Sequence, residues 1–174
     1  MERIISKPIS LYWVAENMYE IYSTGEVVDI NTGRFMPTSI NGNGYTYISL
    51  KTTTFGYKSI AMHRLLADQF IEKTEDDIKM NRNFVHFKDF DKDNLSLSNL
   101  EWLNSFELNM KTFSRYNDDC DVRECLGLIC RCLEHGYTPK QICDLLGLQR
   151  RSSGMIGKIY NRQIYTDMTK RYKF

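Results

Sequence analysis

The chain has 174 residues, of which 42% are hydrophobic, 26% charged and 13% aromatic. That composition builds a packed core in one ordinary domain or two small ones, and it excludes a disordered chain. No apolar run reaches the roughly 18–20 residues of a membrane span, and the first residues lack the cationic-then-apolar layout of a secretory signal. The expectation is a cytoplasmic protein with no membrane partner.

A net charge of +1 hides an asymmetry. Residues 111–174 carry 12 Lys and Arg against 7 Asp and Glu, a net of +5, whereas residues 1–110 carry 11 against 15, a net of −4. A basic binding module attached to a different kind of unit would look like this. All five cysteines, Cys120, Cys125, Cys130, Cys132 and Cys143, lie in the basic part. Their odd number and mostly helical setting fit reduced thiols better than a disulfide framework.

In chain order, Tyr19–Tyr22, Val27–Ile30 and Tyr45–Leu50 read as short strands, separated by Ser23-Thr24-Gly25, Asn31-Thr32-Gly33 and Asn41-Gly42-Asn43-Gly44. The last run alternates with period two, and the Asn-Gly pairs supply the positive φ of tight turns. Tyr57–Ala61 is a further strand. Then Met62, Leu65, Leu66, Phe70 and Ile71 recur at near-helical spacing, which gives a small antiparallel sheet followed by a helix. Trp13 reads as a packing residue, and His63 as a structural link between sheet and helix.

Residues 84–102 are dense in Asp and Asn and close on an apolar stretch ending at Trp102. Asp89, Asp91 and Asp93 alternate as in a calcium loop, yet the turn glycine and the bidentate Glu at the twelfth position are missing. A connector over 104–120 begins helically and ends polar at Asn117-Asp118-Asp119.

Three helices fit the rest. Asp121 can cap the first, whose apolar face is Val122, Cys125, Leu126, Ile129, Cys130 and Leu133. Thr138-Pro139 opens the second, with Ile142, Leu145 and Leu146, and Gly147 ends it. Met155, Ile156, Ile159 and Tyr160 make the third, with Arg150, Arg151, Lys158 and Arg162 around it. This is the layout of a helix-turn-helix DNA reader, which the charge bias and the Thr-Pro and Gly-Leu punctuation favour over a plain three-helix bundle. A zinc site at Cys130, Cys132, His135 and Cys143 is poorly spaced, because Cys130 and Cys132 lie about 200° apart around a helix.

Three segments together resemble the phage HNH homing endonuclease family. Tyr19–Val27, through Gly44-Tyr45 to Met62–Phe70, is similar to its N-terminal β-module; Val85–Trp102 is similar to the HNH motif; Ile142–Tyr165 is similar to its helix-turn-helix tail. The likeness implies an α+β fold: a small antiparallel sheet with a ββα-metal unit over 1–110, a linker over 111–120, and an all-α helix-turn-helix domain over 121–174. It also implies DNA cleavage with one divalent ion, Mg²⁺ or Mn²⁺. In the family a strand His activates water, while an Asp and a helix Asn hold the cation on the scissile phosphate.

Carried over residue by residue, the resemblance keeps the scaffold and loses the chemistry. Asp89, Lys92, Asn94, Asn99, Leu100 and Trp102 match the motif. The metal-binding Asp falls on His86, the general-base His on Phe87 and the glycine on Phe90. The helix Asn falls on Leu108, with Asn109 one place on, about 100° around the helix. The HNH positions are thus His86, Phe87, Asn99 and Leu108. Phenylalanine can neither accept a proton nor bind a metal ion, and His86, as aligned, points to the opposite strand face.

The expectation is a DNA-binding protein of nuclease descent with no catalytic residues and no cofactor. It would act on double-stranded DNA as a sequence-specific regulator or accessory factor, with host or phage transcription machinery as a further partner. Gln149, Arg150, Arg151, Ser152, Ser153, Lys158, Asn161 and Arg162 are the DNA-contacting candidates. Around them, the stretch from Gly147 to Ile156 is about three residues longer than the family's. Lys51, Lys58 and Arg64 add backbone contacts in this view. The alternative is an active nicking endonuclease using His86, Asp89 and Asn109 with Mg²⁺ or Mn²⁺. A third reading is a protein-binding module held by exposed aromatics.

Overall fold

A computed structural model describes residues 4–54, 56–115, 122, 125–148 and 152–174. The chain divides into two compact units, Met1–Asn104 and Ser105–Phe174.

In the first unit, strands β1 (Ser6–Pro8), β2 (Tyr19–Tyr22), β3 (Val27–Asp29) and β4 (Arg34–Phe35) form a four-stranded antiparallel sheet in that order. β5 (Thr38–Ile40), β6 (Thr46–Lys51) and β7 (Tyr57–Ala61) form a second sheet, and β8 (Phe84–Phe87) pairs with β9 (Leu100–Leu103). The expected small antiparallel sheet is therefore two, and the β8–β9 ribbon lies in the segment read as the ββα unit. β1, β4 and β5 escaped the sequence reading because they are two or three residues long and mostly exposed, too short to show a period.

Period two governs which side chains turn inward. Tyr19 and Ile21 on β2, and Ile48 and Leu50 on β6, are buried in one core with Val27, Leu65, Leu66, Phe87 and Leu100. The Tyr19 hydroxyl accepts a hydrogen bond from the Lys51 amide at 3.2 Å, which joins the two larger sheets. The turn before β6 depends on Gly44, at φ +79°, and on Asn41, whose side-chain oxygen accepts from the amides of Asn43 and Tyr45. Helix α1 (Met62–Phe70) buries Met62, Leu65, Leu66 and Ala67. A short helix α2 (Glu75–Lys79) opens with a capping box between Thr74 and Asp77. Five residues were too few for a helical period, although the Thr…Asp spacing held the signal.

The second unit is helical: α3 (Ser105–Arg115), α4 (Leu126–Glu134), α5 (Pro139–Leu146), α6 (Ser152–Tyr160) and α7 (Thr166–Thr169). Residues 111–115, placed at the start of the linker, complete α3. The polar end of that connector, Asn117 to Asp119, and the cap candidate Asp121 lie outside the described residues. α5 starts and ends as its sequence dictates. Thr138 and Gln141 form a capping box, Pro139 is the first helical residue, and Gly147 closes the helix in the left-handed conformation at φ +67°. α5 packs against α3, α4 and α6.

α4 begins at Leu126, with Val122 in a buried turn and Cys125 as the N-cap. Cys130, Cys132 and Cys143 are buried free thiols, whereas Cys125 is disulfide-bonded. The expectation of reduced thiols throughout therefore does not hold at Cys125. No helix among the described residues is long and apolar enough to cross a membrane.

Candidate functional site

The Asp-Asn-rich stretch of the first unit is a two-stranded ribbon closed by an internally bonded loop. β8 and β9 pair with Phe84 opposite Leu103, Val85 opposite Trp102, His86 opposite Glu101 and Phe87 opposite Leu100. Between them the backbone is organised around Asp89. Its carboxylate accepts hydrogen bonds from Asn94 Nδ2 at 2.7 Å, Asn99 Nδ2 at 2.8 Å and the Asp91 amide at 2.8 Å. The Asn94 donor first, then the Asp91 amide, hold that carboxyl below the usual carboxylate range.

Asn99, buried in a 3-10 turn at Leu97–Asn99, also accepts from the Asp89 amide through Oδ1 and donates to the Asn94 carbonyl. One side chain thus ties both ends of the loop. Asn99→Ala is expected to cost about 2 kcal/mol of unfolding free energy, since it strands three partners. The same substitution should move the Asp89 carboxyl upward toward its ordinary value, which carboxyl-resolved NMR titration reads directly.

Phe87 faces the core. Its ring lies 4.9 Å from the His63 ring and 6.3 Å from the Tyr45 ring, and the residue is 5% exposed. Lys92 closes the cluster from outside, its ammonium 4.3 Å from the Tyr45 ring centre and bonded to the Asn43 carbonyl at 2.6 Å. His86 turns the other way, as strand alternation requires. Its Nδ1 is 3.0 Å from Glu101 Oε1, and the Phe90 ring meets it edge-on at 4.9 Å. Phe90 itself holds φ +63°, a left-handed conformation that glycine takes at no steric cost.

Trp102 anchors the ribbon. Its indole donates to the Ile71 carbonyl at 3.1 Å, while Arg64 and Lys73 lie over its ring at 4.8 and 4.4 Å. Burial, then the charge of Arg64, lowers the His63 pKa to about 4. A folded-state pKa below the ordinary 6.5 means that the unfolded chain takes the proton first. Stability is therefore intact above pH 6.5 and is lost as pH falls toward 4. The expected loss is on the order of 2 kcal/mol after allowing for partial exposure. Denaturant titrations of His63→Phe against the parent should show this slope flattened between those limits.

No protein-family model matches the chain. Over 88 residues it is 35% identical to DNA endonuclease I-HmuI of Bacillus phage SP01, covering 51% of this chain and 47% of that protein. It is 31% identical over 86 residues to the uncharacterized HNH endonuclease L245 of Acanthamoeba polyphaga mimivirus, covering 49% of this chain and 24% of the other. The chain thus spans about half or less of the length of these relatives. A solved structure titled for DNA binding and cleavage by the HNH homing endonuclease I-HmuI superposes with a TM-score of 0.52 at 23% identity, covering 91% of both chains.

Over about half its length the chain is similar to HNH endonucleases of a phage and of a giant virus.

Against the HNH motif, the positions divide cleanly. Asp89, Asn94, Asn99, Lys92, Leu100 and Trp102 form the bonded loop and its anchor. Phe87, which the resemblance sets at the general base, packs against the rings of His63 and Tyr45; His86, set by it at the metal-binding Asp, is paired with Glu101. Leu108, half-buried, and Asn109, exposed, lie on α3 in the second unit. Glu101 went unnoticed in the sequence, although counting strand register back from Trp102 places it opposite His86.

Among the DNA candidates, Gln149, Arg150 and Arg151 lie outside the described residues. Ser152 and Ser153 are half-buried in the first turn of α6, and Lys158 and Asn161 are exposed at its far end. Arg162 is instead engaged within its own unit, donating to the carbonyls of Thr169 and Tyr172, both at 2.7 Å. Lys51 is exposed, Lys58 lies over the rings of Trp13 and Tyr12, and Arg64 is bonded to Asp68 and Asn83. Burial pushes the Cys130 thiol up to about 11 and the Cys132 thiol up to about 12. Among the described residues no three of His, Cys, Asp and Glu are grouped to hold a metal ion.

Proposed function

We propose that this chain is a DNA-binding protein of HNH homing-endonuclease descent that grips DNA without cutting it, as a sequence-specific regulator or a DNA-associated accessory factor. The observation that carries the reading is the closed ring cluster of Phe87, His63 and Tyr45 where the family's water-activating imidazole stands. A hydrocarbon ring takes no proton, and no strand slip exposes it while it packs in the core.

The cation that the family implies does not fit the donors present. Asp89 spends its carboxylate on Asn94, Asn99 and the Asp91 amide, and His86 directs Nδ1 to Glu101. The loop is nevertheless kept intact, which is what a scaffold retained for binding would keep.

Affinity in this reading comes from the basic part of the chain, net +5 over residues 111–174. α5 and α6 act as a helix-turn-helix, with Ser152, Ser153, Lys158 and Asn161, and the preceding Gln149, Arg150 and Arg151, reaching phosphates and base edges. Any contact with transcription machinery belongs to the regulator form of this proposal.

A sequence-unbiased selection of bound duplexes, run with and without Mg²⁺, tests it. The expected outcome is enrichment of one motif in both arms, recovered uncut, with affinity falling at least about tenfold between 50 and 200 mM salt. Recovery of no motif, together with binding that ignores Arg150→Ala and Arg151→Ala, would favour a protein partner instead.

A further inference from the structure

We propose that Arg162 is a positioning residue, clasping the segment Thr166–Phe174 onto α6 and α4, and not a phosphate contact. The inference rests on the DNA-binding reading of α6 and specifies what aims that helix.

Four observations converge on the clasp. Arg162 lies two residues past the end of α6, in a left-handed conformation at φ +57°. Its two terminal nitrogens donate to different carbonyls, Nη1 to Thr169 and Nη2 to Tyr172, each at 2.7 Å. The guanidinium also lies 4.2 Å from the centre of the Phe174 ring, which stacks at 6.3 Å on Tyr160 in the last turn of α6. The segment then reaches α4. The Lys173 amide donates to Glu134 Oε1 at 2.8 Å, and the Tyr172 hydroxyl lies so near Gly127 that a Cβ there would sit 3.5 Å from it.

One planar fork therefore holds two carbonyls and a ring at once. An ammonium on a flexible stem cannot span both carbonyls in that geometry. Thr169, fully buried and bonded to the Tyr165 carbonyl, gives the clasp a fixed seat.

The test compares the parent with Arg162→Lys, Arg162→Ala and Phe174→Ala. Affinity for the duplex enriched in the selection above is measured by fluorescence anisotropy at several salt concentrations, alongside the rate of tryptic cleavage after Lys170 and Arg171. A clasp predicts that Arg162→Lys is as weak as Arg162→Ala, each about tenfold below the parent with an unchanged salt slope. Cleavage of the segment should accelerate in all three variants.

The proposal is overturned if Arg162→Lys binds like the parent while Arg162→Ala loses about 0.9 of the salt slope, the mark of a phosphate contact. Parent-like affinity in all three variants overturns it too, by reducing the clasp to a stabilising element. Should Arg162→Ala fail to fold, Phe174→Ala decides, because it removes one ring and leaves the charge. A parent chain that binds no duplex at all overturns the DNA reading itself, and this inference with it.

Discussion

Trp102→Ala is expected to cost the N-terminal unit about 4 kcal/mol, the largest single effect in the molecule. The side chain is 6% exposed, so its removal forfeits the transfer free energy of a large ring and leaves a cavity that the two-stranded β8–β9 ribbon cannot collapse into. It also orphans the Ile71 carbonyl, which accepts from the indole at 3.1 Å, and takes the aromatic face from beneath Arg64 and Lys73. Urea unfolding followed by circular dichroism reads the change as a lowered midpoint. Trp102→Phe should recover about half of the loss, because it refills most of the volume without restoring the hydrogen bond. A loss below about 1 kcal/mol for the alanine would mean that the ribbon is not anchored here.

Phe87→His is expected to destabilise the same unit by about 3 kcal/mol and to confer no nuclease activity. The substitution puts an imidazole where the resemblance sets the general base, yet the ring enters a core slot beside His63 and Tyr45, where taking its polar nitrogens out of water is costly. Protonation of the new ring next to His63, itself held neutral by burial and Arg64, is opposed by the same surroundings. Base and metal ligand must both be present for cleavage, and position 86 still carries an imidazole paired to Glu101. Chemical denaturation and plasmid nicking on the same preparation check both halves. Nicking by Phe87→His alone would show that only the base had been lost.

The fold was legible where local chemistry is strong. Thr138-Pro139 and Gly147 bounded α5 because capping and left-handed closure are decided within a few residues. Ile48 and Leu50 announced a half-buried strand through alternation. What escaped was set by tertiary context: β1 and β4 exist only as partners of β2 and β3, and α4 starts four residues later than the apolar face predicts.

The site was half legible. Residue identity at 86, 87 and 90 is where the sequence departs from the motif it resembles. The role of Glu101 needed strand register, and the hold of Phe87 needed the rings of His63 and Tyr45 to be brought together from distant parts of the chain. Arg162 is the sharpest difference. As a basic residue beside an apolar helical face it read as a DNA contact, and nothing in its neighbours' identities announced the carbonyls of Thr169 and Tyr172 as its partners.

The most direct measurement incubates the chain with supercoiled plasmid in Mg²⁺ or Mn²⁺ and runs each sample for both nicking and mobility shift. The account predicts a shift that weakens with salt and no open circle beyond the protein-free control. Open circle that accumulates with either ion and vanishes in His86→Ala would contradict it.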